Sequence, residues 1–138
     1  MNKYLVAYAA AAVVMIALDL LWLGLAARTM YQQGIGHLMA DKPNVPVAAA
    51  FYALYALGIV IFAVAPQTDG AGWGKTLTTA ALFGFFAYAT YDLTNLATLR
   101  DWPMRLAVID IAWGVCVSAA SAAGGKAAMD WAASMPNP

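Results

Sequence analysis

Asp19, Asp92 and Asp110 lie inside apolar stretches long enough to cross a bilayer, in a chain of 138 residues of which only 10% are charged. A carboxylate at the bilayer centre is disfavoured by on the order of 3 kcal/mol, so an acid kept there marks a functional site by default. Burial and neighbouring like charge both favour the neutral carboxyl. A neutral carboxyl can exchange its proton for a cation or donate to a polar ligand. Coupled acids titrate as a set, so spacing names no single proton carrier.

Counting along the helices predicts one depth for all three. Asp19 precedes the end of its stretch near Ala26 by about seven residues, which is roughly 10 Å of helix. Asp92 precedes Ala97 by about five residues, and Asp110 follows Met104 by about six. The first and third stretches run one way and the fourth runs back, so the acids form a layer roughly 10 Å below one membrane face. Tyr52 and Tyr55 of the second stretch are predicted in the same layer, with hydroxyls that can donate to carboxylates. Tyr88 and Asn95 flank Asp92 on its helix face, at i−4 and i+3. Asp19-x-x-Trp22 is echoed by Asp110-x-x-Trp113. That spacing puts acid and indole on one face, where the indole N–H can donate and the ring can wall a pocket. In helices of opposite direction the echo resembles an inverted repeat, as carriers often have.

The elements that must position these groups are four apolar stretches, 4–26, 47–65, 76–97 and 104–123, each near the roughly 20 residues of a spanning helix. The predicted fold is all-α: one polytopic membrane domain over 1–138, a four-helix bundle with both termini on one side. Hydrophobic residues make up 64% of the chain, far above the share in a soluble domain. The breaks are a polar segment with Arg28, His37, Asp41, Lys42, Pro43 and Pro46, a turn at 66–72, and Arg100-Asp-Trp-Pro103, whose proline suits a first helical turn. Residues 28–40 form either a short interfacial helix or a folded-back loop. The first stretch is too long for a secretion-signal core and contains Asp19, so its removal is not expected. Arg28, Lys42, Arg100 and Arg105 against Lys3, Lys75 and Lys126 lean toward termini outside.

Other features read as architecture. Gly114, Ser118, Ser121 and Gly125 make a small-residue face for close helix contact, within the bundle or between protomers. Tyr4, Tyr8, Trp73, Trp102 and Trp131 fall where an interfacial aromatic belt would. The lone Cys116 allows no internal disulfide and reads as packing. A single histidine, His37, removes most metal and haem chemistry, so no metal and no cofactor are expected. Net charge zero with no basic run argues against nucleic acid.

The run Tyr91-Asp-Leu-Thr-Asn-Leu-Ala-Thr-Leu-Arg-Asp-Trp-Pro103, followed by Val108-Ile-Asp-Ile-Ala-Trp-Gly114 and joined by Asp19 with Trp22, resembles the bacterial DUF2177 family of predicted membrane proteins. The resemblance spans essentially the whole chain. It implies a small four-helix membrane fold and carries no activity with it.

Three functions remain open at this stage. The first is a small permease or exchanger for protons, cations or polar solutes in a bacterial inner membrane. Its binding and proton-coupling groups are Asp19, Asp92 and Asp110, lined by Tyr52, Tyr55, Tyr88, Asn95, Trp22 and Trp113. Four helices make a thin pathway, so a homodimer is expected. The second is a membrane enzyme or binder for a lipid or isoprenoid head group, with Arg28, Arg100 and Arg105 as gate or head-group contacts. No nucleophile with an adjacent base and no phosphate-binding loop supports it. The third is an assembly subunit whose acids meet basic residues of a partner. Beside all three stands a purely structural role, in which those arginines snorkel inward and pair with the acids.

Overall fold

Two of the helices, α1 and α3, begin where an asparagine side chain satisfies a free amide. The Asn2 side chain accepts from the Tyr4 amide at 2.9 Å and the Leu5 amide at 3.3 Å, capping α1 (Lys3–Leu21). Asn44 does the same for Val47 at 3.2 Å, and Pro46 in the first turn of α3 (Val45–Ile59) forfeits an amide that needs no partner. Between them lie α2 (Arg28–Ile35) and a 3₁₀ turn, Gly36–Leu38. Gly72, at φ 81°, supplies the left-handed residue before α4 (Trp73–Thr98), and Pro103 precedes α5 (Met104–Ser134). The computed structural model describes residues 2–68 and 70–136; Asp69, in the predicted turn 66–72, lies outside them.

Both α1 and α3 widen at their ends into π turns, Trp22–Ala26 and Val60–Val64. With these turns, Lys3–Leu25 and Val45–Val64 are long and apolar enough to cross a membrane, as is Met104–Ser134. α4 has the length, at 26 residues, but a more polar composition. Much of that polarity is absorbed by the helix itself. Thr90 donates to the Phe86 carbonyl at 2.6 Å and Thr98 to that of Thr94 at 2.8 Å, while Thr94 bonds back to Thr90. No strand occurs among the described residues.

Burial runs opposite to that of a water-soluble protein. Leu25 is 80% exposed and Leu54 69%, whereas Asp92, Thr76, Ser118, Ser121 and Lys126 have no exposure at all. Only a hydrocarbon surround makes that distribution favourable. The chain is therefore an integral membrane protein.

α5 is the central column, packed along α4 on one side and α1 on the other; α3 lies against α1 and meets the α4 backbone chiefly at its π turn. Small residues permit these approaches. A Cβ on Gly84 would meet the Gly114 carbonyl and Ser118, and one on Gly125 would lie 3.1 Å from the Ala7 carbonyl. The Gly114–Gly125 face therefore acts within the bundle.

Several expectations are corrected here. α5 does not end at 123: it continues to Ser134, because Gly124 and Gly125 close onto α1 and Lys126 is neutralised in place. The Lys126 ammonium donates to the Gln67 carbonyl at 2.9 Å, pairs with Asp130 at 3.2 Å and lies 5.5 Å from the centre of the Trp73 ring. The segment at 28–40 contains a true helix, α2, rather than a bare loop. Trp102 leaves the predicted belt for a buried cluster with Ile35, Leu106 and Ala107, which anchors α2 to the start of α5. Tyr8 bonds across to the Ala53 carbonyl at 3.0 Å. Cys116 is exposed on the bundle's outer face instead of packed within it.

Candidate functional site

Asp19 sits in the last turn of α1, just before its π turn, and Asp110 lies two turns into α5. α1 and α5 run antiparallel, since Gly125 meets Ala7 while Trp113 meets Asp19. The two acids therefore arrive at one level. Asp92 of α4 faces Asp110 there, completing a layer of three carboxyl groups.

Each acid has a different set of donors. Asp19, 9% exposed, accepts from the Tyr52 hydroxyl and, at 3.1 Å, from the Trp113 indole N–H. Asp110, 6% exposed, accepts from the Tyr31 hydroxyl. Asp92 is wholly buried, and no N–H or phenol reaches either of its oxygens; its one partner is the neighbouring carboxyl of Asp110. A buried carboxyl without a donor is normally costly, by about 1–3 kcal/mol or more, and its persistence calls for an explanation.

The two Asp-x-x-Trp elements meet face to face. Trp22 and Trp113 stack with ring centroids 4.6 Å apart and planes 5° from parallel. Each indole was expected beside the acid of its own helix. Instead the Trp113 N–H crosses to Asp19, because the stack turns its edge toward α1. The reciprocal bond is missing: the Trp22 N–H does not reach Asp110, which takes Tyr31 in its place.

Beside this layer a cavity of about 440 Å³ opens, lined by Asp19 and Asp110 and by the rings of Trp22, Tyr31, Phe51, Tyr55, Tyr88 and Tyr91, with Leu23 and Ala87 completing the wall. It exists because α3 and α4 approach closely only at the Val60–Val64 end and are bridged elsewhere by rings. Tyr55 meets Phe83 edge-on at 5.1 Å and Tyr88 at 6.1 Å. The Tyr55 hydroxyl pairs with Ser118 at 2.7 Å and not with a carboxylate, a correction to its expected role. Tyr88 fills the groove over Gly114, where a side chain would collide with its ring.

The remaining predicted groups lie apart from this wall. Asn95 is half-buried on α4, and its side chain does not line the cavity. Arg28 borders an outer groove with Tyr31 and Gln32; Arg105 borders another with Trp22 and Gln33; Arg100 is exposed. Among the described residues no ion pair joins an arginine to any of the three acids. The arginine-locked arrangement is therefore not the one this fold adopts.

Tyr31 went unrecognised in the sequence as a site residue. It lies in α2, and α2 folds back onto α5 because Ile35 packs with Leu106 and Ala107. The available signal was that Tyr31 and Ile35, at i and i+4, share one face of a short amphipathic segment. Burial, and then the Asp110 carboxylate it donates to, push the Tyr31 phenol above its ordinary value of about 10. It therefore remains a donor throughout the physiological range.

Tyr31→Phe is expected to lower the thermal midpoint more than Tyr52→Phe. The first leaves Asp110 without its one side-chain donor, whereas Asp19 retains the Trp113 indole. Leaving a buried acceptor without its donor costs about 1–3 kcal/mol. Equal shifts for the two variants, followed by tryptophan fluorescence on heating, would count against this assignment of donors.

The fold and the site define a class: an all-helical integral membrane protein whose buried polar layer joins carboxyl groups to an aromatic-walled cavity. The profile of the family described as "Predicted membrane protein (DUF2177)" matches residues 4–127, and the chain belongs to that family. No curated protein and no solved structure matches it.

Proposed function

We propose that the chain is a small proton-linked permease or exchanger for a cation or small polar solute. The observation that carries this reading is the charge of the cavity wall: two carboxyl groups and no basic side chain. Such a wall disfavours anions and concentrates cations. Asp19 and Asp110 are the groups that meet the solute. Asp92, behind Asp110, is the group that gives up its proton when a cation occupies the front pair and takes one back when the cation leaves.

The reading takes α4 as a fourth crossing, with both termini on one side of a bacterial inner membrane, and a homodimer as the working unit. The antiparallel packing of α5 against both α1 and α4 supports that topology. The lipid-directed alternative draws support from one observation, the sideways exposure of Leu23, Phe51 and Tyr91 on the cavity's rim. An anionic head group, however, would need the arginines, and these border other grooves.

The test is proton-coupled cation flux in liposomes. Asp19→Asn, Asp92→Asn and Asp110→Asn are each expected to bring cation-driven internal pH change down to the level of empty vesicles. Undiminished flux in all three variants overturns the proposal.

A further inference from the structure

A bare inorganic cation needs neither 440 Å³ nor a wall of rings. Cavities of about 300–1,000 Å³ with mainly apolar linings and a few placed polar groups are the usual sites of organic ligands. We infer that this cavity takes a lipophilic organic ammonium, an amine or quaternary nitrogen carrying an apolar or aromatic body, which enters sideways from the hydrocarbon layer. The inference rests on the reading of the cavity as a cation site, and it adds the ligand's class and its route.

Three features of the site converge on that class. Asp19 and Asp110 supply negative charge on the wall, and no lysine or arginine opposes it. The faces of aromatic rings attract an alkylated nitrogen that sheds its water easily, which a strongly hydrated inorganic ion does not do. Phe51 of α3 and Tyr88 and Tyr91 of α4 bring such rings to the wall from two helices. Behind Asp110, the wholly buried Asp92 has only that second carboxyl as a partner, so the layer holds three acids and no cation. An acid layer that the protein leaves incomplete is one that an incoming positive charge completes.

The route follows from exposure at the rim. Leu23 is 43% exposed, Phe51 45% and Tyr91 52%, one each from the π turn after α1, from α3 and from α4. These residues face the lipid-directed surface of the bundle, beside the gap that α3 and α4 leave open away from their contact at Val60–Val64. An amphiphilic cation partitions into the outer hydrocarbon with its nitrogen near the interface. There it meets this opening at about the level of the acids.

The experiment is calorimetric titration of the full chain in an uncharged detergent with benzyltrimethylammonium, tetramethylammonium and phenylphosphonate. Saturable binding of benzyltrimethylammonium is expected, with tetramethylammonium at least about tenfold weaker because it lacks the ring to bury. No binding of phenylphosphonate is expected. Phe51→Ala, at a rim position where the ring is 45% exposed, should weaken the benzyl compound about fivefold, the equivalent of one ring–cation contact, with the thermal midpoint checked alongside. Asp110→Asn should weaken it further.

Absence of saturable onium binding overturns the inference. So does phenylphosphonate binding as tightly as the ammonium, or an affinity unchanged by both Phe51→Ala and Asp110→Asn. Potassium–proton exchange in liposomes by a chain that binds no onium sinks the ligand class and leaves exchange standing. Saturable onium binding without any coupled flux sinks exchange and leaves the ligand class intact.

Discussion

Asp92→Asn is expected to raise the thermal midpoint of the protein by on the order of 5 °C, the equivalent of about 1.5–3 kcal/mol, while it lowers proton-coupled flux to background. Asp92 is wholly buried and its only partner is another carboxyl group, that of Asp110. Two acids in contact have acceptors on both sides and, between them, only whatever proton they share. An asparagine amide brings its own N–H, aimed at Asp110 from the same place. The side chain keeps its size, so no cavity opens and the α4–α5 packing is undisturbed.

The two halves of that outcome belong together. A group that destabilises the resting fold and persists in a place where a better-bonded residue fits is the pattern of a functional site. Thermal unfolding followed by tryptophan fluorescence gives the first half, and liposome flux gives the second. A midpoint that falls in Asp92→Asn would mean that Asp92 is bonded in the folded state and is not held in reserve.

Gly84→Leu is expected to prevent assembly of the bundle. At this crossing α4 and α5 touch backbone to backbone: a Cβ at Gly84 would stand 2.8 Å from the Ser118 Cβ and closer still to the Gly114 carbonyl. Overpacking of a well-filled interior costs about 1–3 kcal/mol when side chains can shift, and more when the obstacle is main chain. The damage spreads to the cavity, because Ser118 holds the Tyr55 hydroxyl at 2.7 Å and Tyr88 lies over Gly114.

Gly74→Leu serves as the control. Nothing lies within 4 Å of a Cβ placed there. It should leave the midpoint within about 0.5 kcal/mol of the parent. Size-exclusion profiles and the fluorescence midpoint separate the two variants. A monodisperse, fully stable Gly84→Leu protein would mean that α4 does not pack on α5 at this point.

The sequence by itself determined the medium and the level of the polar layer. Apolar runs of about 20 residues can satisfy their backbones in hydrocarbon only as helices. A fixed rise per residue then brings Asp19, Asp92 and Asp110 to a common level along helices that pack antiparallel. Local capping by Asn2 and Asn44 and the start of α5 after Pro103 are likewise properties of neighbours in the chain.

What lies between helices was decided only by the tertiary structure. Helical periodicity gives the face on which a side chain stands, yet not which neighbour that face meets. For this reason the Trp113 indole serves Asp19 of another helix, and Tyr55 serves Ser118 in place of an acid. The end of α5 was misplaced for a related cause. The helix runs on past 123 because Gly124 and Gly125 close onto α1 and Lys126 donates to the Gln67 carbonyl.

Tyr31 shows the same limit at longer range. Its place beside Asp110 depends on the fold-back of α2 onto Leu106 and Ala107, a contact across 70 or so residues of chain. The cavity depends on α3 and α4 meeting at one end and parting toward the other. Rise and period are properties of one helix and can be counted from the sequence. A void and a hydrogen bond between helices are properties of how several helices pack.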